Sequence, residues 1–174
     1  MPTLAYFIER TEQKIRFSRL HLDEIRNHST QNAGTDFERA HYESILFHMY
    51  GAIDAFLQEL NIYYACELPI SKVSRRALAK NLAKRALVSS ELLEIEALQS
   101  PANDSLGTFS EFRHHATHRG GLSMKHYFNG PSNLVHPTTR EEIKTDTIDL
   151  FSEWLDRLTV LLKTFRTTAR KSDE

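Results

Sequence analysis

The segment Glu111 to Gly121, "EFRHHATHRGG", gathers three histidines and two arginines before a double glycine. A guanidinium forks onto phosphate oxygens, and a neutral imidazole moves a proton near pH 7. Arg113 and His118 therefore supply two parts of a metal-free RNA-cleaving site. One steadies the charge on the phosphorane; the other takes or gives the proton. On an ideal helix, five residues of separation set these two side chains roughly 140° apart. They converge if the helix frays at Gly120 and Gly121, or if a second chain completes the site. The spacing alone is unspecific, because Arg16 and His21 repeat it inside the first helix.

Other chemistries compete. His114 and His118 stand four apart, a proper pair of metal ligands on one helix face. With His48, Glu43 or His136 as a third ligand they would make a metal-dependent bundle enzyme. The competing reading is a solvated helix end. Glu38 and His41 form a single Glu-x-x-His, whereas a di-iron site needs two. Cys66 has no histidine near it in sequence and reads as a packed, inert thiol. No glycine-rich phosphate loop is present, and no cofactor is expected. Asp54 lies between Ile53 and Phe56, where a carboxylate is costly unless paired. Arg113 or His118 would be a sensible partner; the alternative is that Asp54 faces water near Gln58.

These residues need elements to hold them. Leu4, Ile8, Thr11, Ile15, Ser18, Leu22 and Ile25 form one stripe of a first helix, roughly residues 2 to 27. "NHSTQNAGTD" breaks it, and Thr35 with Glu38 makes a capping box for a second, mostly apolar helix. Pro69 suits a first helical turn. The segment "SKVSRRALAKNLAKRALVSS" carries Lys72, Arg75, Arg76, Lys80, Lys84 and Arg85 and no acid. Val73, Ala77, Leu78, Leu82 and Leu87 supply its apolar side. Its charges read as a solvated face or as a guide for a polyanion. A short fourth helix starts at Ser89 or Ser90, and a fifth ends at Gly120. Residues 121–137 form an irregular excursion or a small hairpin around Asn129, Gly130 and Pro131. Thr138 with Glu141, or Thr139 with Glu142, caps the last helix. Its inward side is Ile143, Leu150, Phe151, Trp154, Leu155, Leu158, Leu161, Leu162 and Phe165. Arg166, Arg170 and Lys171 suit the macrodipole at its end.

The expected fold is an all-α, up-and-down bundle of three to four long helices plus shorter ones, in a single domain over 1–174. With 40% hydrophobic and 26% charged residues and a net charge of −1, no global field draws the chain to nucleic acid or membrane. The N-terminal segment lacks the apolar core of a signal peptide, and no run suits a membrane span. A cytoplasmic protein with no membrane partner is expected, and the lone cysteine agrees with a reducing compartment.

"FRHHATHRGG" resembles the Arg-Asn-x-x-x-His-Gly type of element in the HEPN superfamily of small helical bundles, many of them metal-independent ribonucleases. "MYGAIDAFLQEL" is similar to a stretch of the second helix in some HEPN families. The resemblance implies a homodimer with a composite site, acting on single-stranded RNA. It places Arg113 and His118 at the catalytic pair and Asp54 at the family's buried acid. His114 stands where the family often has Asn; His114 or His115 would supply the second proton-transfer group. Arg119 displaces the glycine by one. A bundle that keeps the scaffold and loses the activity is the second implied reading: a catalytically silent module binding RNA or a protein partner. The resemblance points to a bacterial family.

Overall fold

A computed structural model describes residues 2–32, 36–93, 111–114, 116, 121–127 and 132–172. Helix α1 spans Leu4–Asn32, α2 spans Asp36–Tyr63, α3 spans Arg75–Ala83 and α4 spans Thr147–Ser172. A 3-10 turn, Ile70–Lys72, precedes α3, and residues 90–93, 111–114 and 116 are also helical. Strands β1, Met124–His126, and β2, Ser132–Leu134, pair antiparallel, with Lys125 opposite Asn133. The all-α bundle is thus as expected, and the excursion after Gly121 takes the hairpin alternative.

The stripe of α1 turns inward: Thr11, Ile15, Ser18, Leu22 and Ile25 are all buried. The two hydroxyls survive burial because each finds an acceptor one turn back. Thr11 Oγ1 donates to Phe7 O at 3.0 Å, and Ser18 Oγ to Lys14 O at 3.1 Å. α2 packs antiparallel to α1. α4 lies against both, antiparallel to α1 and alongside α2 in the same direction, as Tyr42 meets Phe151 and Phe56 meets Phe165. Leu150, Phe151, Trp154, Leu155, Leu158, Leu161, Leu162 and Phe165 all close the core. The chain between α2 and α4 must therefore return along the bundle before α4 begins.

Three boundaries differ from the sequence reading. α1 continues past residue 27 to Asn32, with His28 Nδ1 3.0 Å from Glu24 O on the helix surface. Thr35 lies outside the described residues. Glu38 is buried, and its carboxylate accepts from Tyr42 Oη and Ser132 Oγ. α3 stops at Ala83, which leaves Leu87 beyond it and 42% exposed. α4 begins at Thr147, not near Thr138. Its cap is Asp146, whose Oδ1 accepts from Ile148 N at 2.8 Å and Asp149 N at 3.3 Å. Glu142 cannot serve there, because Lys125, Tyr127 and Asn133 from the hairpin hold its carboxylate. Ile143 still packs on the core, from non-helical chain ahead of α4.

Ser74 and Ser89 do cap, accepting from Ala77 N and Leu92 N. The basic residues Lys72, Arg76, Lys80, Lys84 and Arg85 are exposed, as both a solvated face and a polyanion guide require. Arg166 takes a role the macrodipole did not suggest. It forks onto Glu59, buried to 1% exposure, with Nη2–Oε1 at 2.9 Å and Nε–Oε2 at 3.2 Å. The Thr11 hydroxyl also lies against this carboxylate, which competes with Phe7 O for its single proton. The Arg170 and Lys171 side chains, with Gly120, Asn129, Gly130 and Pro131, lie outside what is described.

Candidate functional site

Phe112 is the anchor of the histidine-rich segment. It is fully buried, with its ring 6.0 Å from those of Trp154 and His136. With Phe112 turned into the core, the next residue rotates about 100° toward α2. The Arg113 guanidinium carbon lies 4.4 Å from the centroid of the Tyr50 ring, a cation–π contact. Arg113 and Asp54 line one open cleft between α1 and α2, of about 340 Å³. Tyr6, Arg10, Lys14, Phe47 and Tyr50 also line it.

Asp54 is not the buried acid that the HEPN resemblance implied. Its surface is exposed, toward the cleft that Gln58 also lines. Crowding by the cleft walls still raises its pKa, and the charge of Arg113 opposes that rise. The buried acids of α2 are Glu38 and Glu59. α2 is apolar over so much of its surface that its own pattern does not reveal which carboxylate points inward. The signal that singles out Glu59 is the distant Arg166.

His114 is exposed beside Arg113. His115 and His118 lie outside the described residues, so the structure brings Arg113 and Asp54 together and leaves the pairing of Arg113 with His118 open. The chain is held again at Gly121, where φ is +90° and a Cβ would stand 3.0 Å from Glu43 Oε1. Leu122 N donates to that oxygen at 3.1 Å. Glycine is required there both for the backbone angle and for the close approach.

The proposed metal ligands are dispersed. Glu43 serves Leu122, and His136 Nδ1 accepts from the backbone of Thr138 and Thr139. His41 Nδ1 lies 3.0 Å from His21 Nδ1, while Glu38 faces Tyr42 and Ser132. Among the described residues, no group of three or more His, Cys, Asp or Glu could hold a metal ion. Cys66 is buried, and desolvation raises its thiol pKa against the opposing charge of Arg85, as befits a packed thiol.

A second cluster escaped the sequence reading. Lys14 on α1 is 8% exposed, and its stem runs across Gly51 of α2. Its Nζ lies 3.3 Å from His48 Nδ1 and 4.8 Å from the centroid of Phe47. An ammonium only donates, so His48 accepts at Nδ1 and carries its proton on Nε2. Burial first, then the charges of Lys14, His21 and Arg10, push the His48 pKa down to about 4. Among the described helices, none is long and apolar enough to cross a membrane. No family model, curated protein or solved structure matches this chain.

Proposed function

We propose that this chain is a HEPN-like helical bundle that takes single-stranded RNA in the cleft between α1 and α2. Where His118 joins Arg113, it cleaves that RNA without a metal. The carrying observation is Arg113 spread on Tyr50 in an open cleft with two further cations and exposed aromatic rings. Such a lining suits a polyanion whose bases stack.

In this reading the 2′-hydroxyl attacks its own phosphate and loses its proton to an imidazole. The 5′-oxygen leaves and takes a proton from a second group, His114 or His115. Arg113 neutralises the equatorial oxygens as charge builds. Products carry a cyclic 2′,3′-phosphate. A homodimer would supply the convergence that one helix denies to Arg113 and His118.

The test is RNA cleavage by the wild type, Arg113→Ala and His118→Ala, each checked for folding. Metal-independent cleavage, resistant to chelators and lost in both variants, supports the reading. A wild type that neither binds nor cuts a broad RNA panel overturns it. A second reading, a silent protein-binding bundle, is favoured by a neighbouring apolar groove of about 990 Å³ along Phe7, Ile62, Leu68 and Ile70.

A further inference from the structure

Lys14 is an unusual residue in this cleft. It is a cation with nine-tenths of its surface covered, yet among the described residues no carboxylate pairs with it. Its polar partner is His48 Nδ1, and the charge that acts on it is another cation, Arg10. A buried charge is normally compensated by an opposite one. Desolvation first, and then the charge of Arg10, accordingly lower the Lys14 pKa. The cleft is open above them, and exposed aromatic rings flank it: Tyr6 at 51% and Phe47 at 60% exposure. Gly51 adds an independent sign of fit. A Cβ there would stand 3.1 Å from Lys14 Cε and 3.2 Å from Cδ. The bare backbone leaves a channel along which the lysine stem reaches its position. Asp54 is the one carboxylate of the lining, and its charge is engaged by Arg113.

We propose that Lys14 and Arg10 form a phosphate-binding subsite of this cleft, taking the phosphodiester next to the one that Arg113 faces. The neighbouring phosphodiester rests on the RNA reading above; the anion site itself does not. A phosphate oxygen at Lys14 supplies the missing negative charge, and Phe47 and Tyr6 offer their faces to the attached bases. His48 fixes the direction of the ammonium from behind and is a positioning residue.

Binding of a fluorescein-labelled oligouridylate, followed by polarisation across a salt series, reads the subsite. Lys14→Met keeps an apolar stem over Gly51 and removes the ammonium, with its charge and its hydrogen bond to His48. It should weaken binding about tenfold and reduce the log–log salt slope by about one. Lys14→Arg should recover part of both. A Lys14→Met variant that folds and binds like the wild type overturns the subsite while leaving the RNA reading intact. Isothermal titration with inorganic pyrophosphate separates the two claims. If the wild type ignores the oligonucleotide but binds pyrophosphate through Lys14, the subsite stands for a free phosphate and the RNA reading falls. If it binds neither, both fall.

Discussion

Arg166 and Glu59 meet as a two-pronged ion pair in the interior, joining α4 to α2, and Arg166 Nη1 reaches on to Glu12 of α1 at 2.9 Å. Three helices are thereby fastened at one point. A buried pair of this kind adds little net stability over apolar packing, but breaking one side strands a charge.

Arg166→Met should therefore destabilise the fold by about 3–5 kcal/mol in urea unfolding. The double variant Glu59→Leu with Arg166→Met should recover most of that loss. A single variant costing under about 1 kcal/mol would show that water reaches Glu59.

Gly51→Ala sets two effects against each other. Alanine in a helix interior gains about 0.5–1 kcal/mol over glycine. The new methyl crowds the Lys14 stem, which must give by a few tenths of an ångström. Thermal unfolding should stay level or improve, while oligouridylate binding weakens. Unchanged binding would mean that the lysine finds its position by another route.

Stability should depend on pH through His48. Its pKa is about 4 in the fold and 6.5 in a free chain, so the unfolded state takes up its proton first. Above pH 6.5 the group contributes nothing to the slope. As pH falls from about 6.5 to about 4, stability declines; below about 4 that decline ends. His21, lowered by burial and by His41, acts in the same direction. Urea midpoints across this range should fall with acid, and His48→Gln should flatten the curve.

Asp146→Ala removes the cap of α4 and should cost about 1 kcal/mol. Thr139→Ala, whose hydroxyl accepts from Glu141 N, should cost less by the same thermal assay. Equal losses would restore the cap to the threonine segment.

The helical stripes were legible because burial imposes a period. Leu22 and Trp154 sit inside where periodicity puts them. What stayed hidden depends on partners far along the chain. Glu59 and Asp54 look alike in sequence; only Arg166, folded back from α4, decides which one is interior. The motif at Thr139 and Glu142 has the form of a helix start, yet the hairpin claims Glu142 first. Of the candidate site, Arg113, His114 and Asp54 were legible by chemistry, and the cleft that joins Arg113 to Asp54 was not. Lys14 had no motif at all. Its significance lies in its pairing with no carboxylate among the described residues, which no spacing rule encodes.

The shared direction of α2 and α4 also orders events in time. A ribosome releases α1 and α2 long before the strip of Phe151, Trp154 and Phe165 that completes their core exists. At roughly 5–20 residues per second, the nascent helical pair waits on the order of ten seconds with its apolar face uncovered. Apolar surface exposed in this way is prone to aggregate until the last helix arrives to cover it.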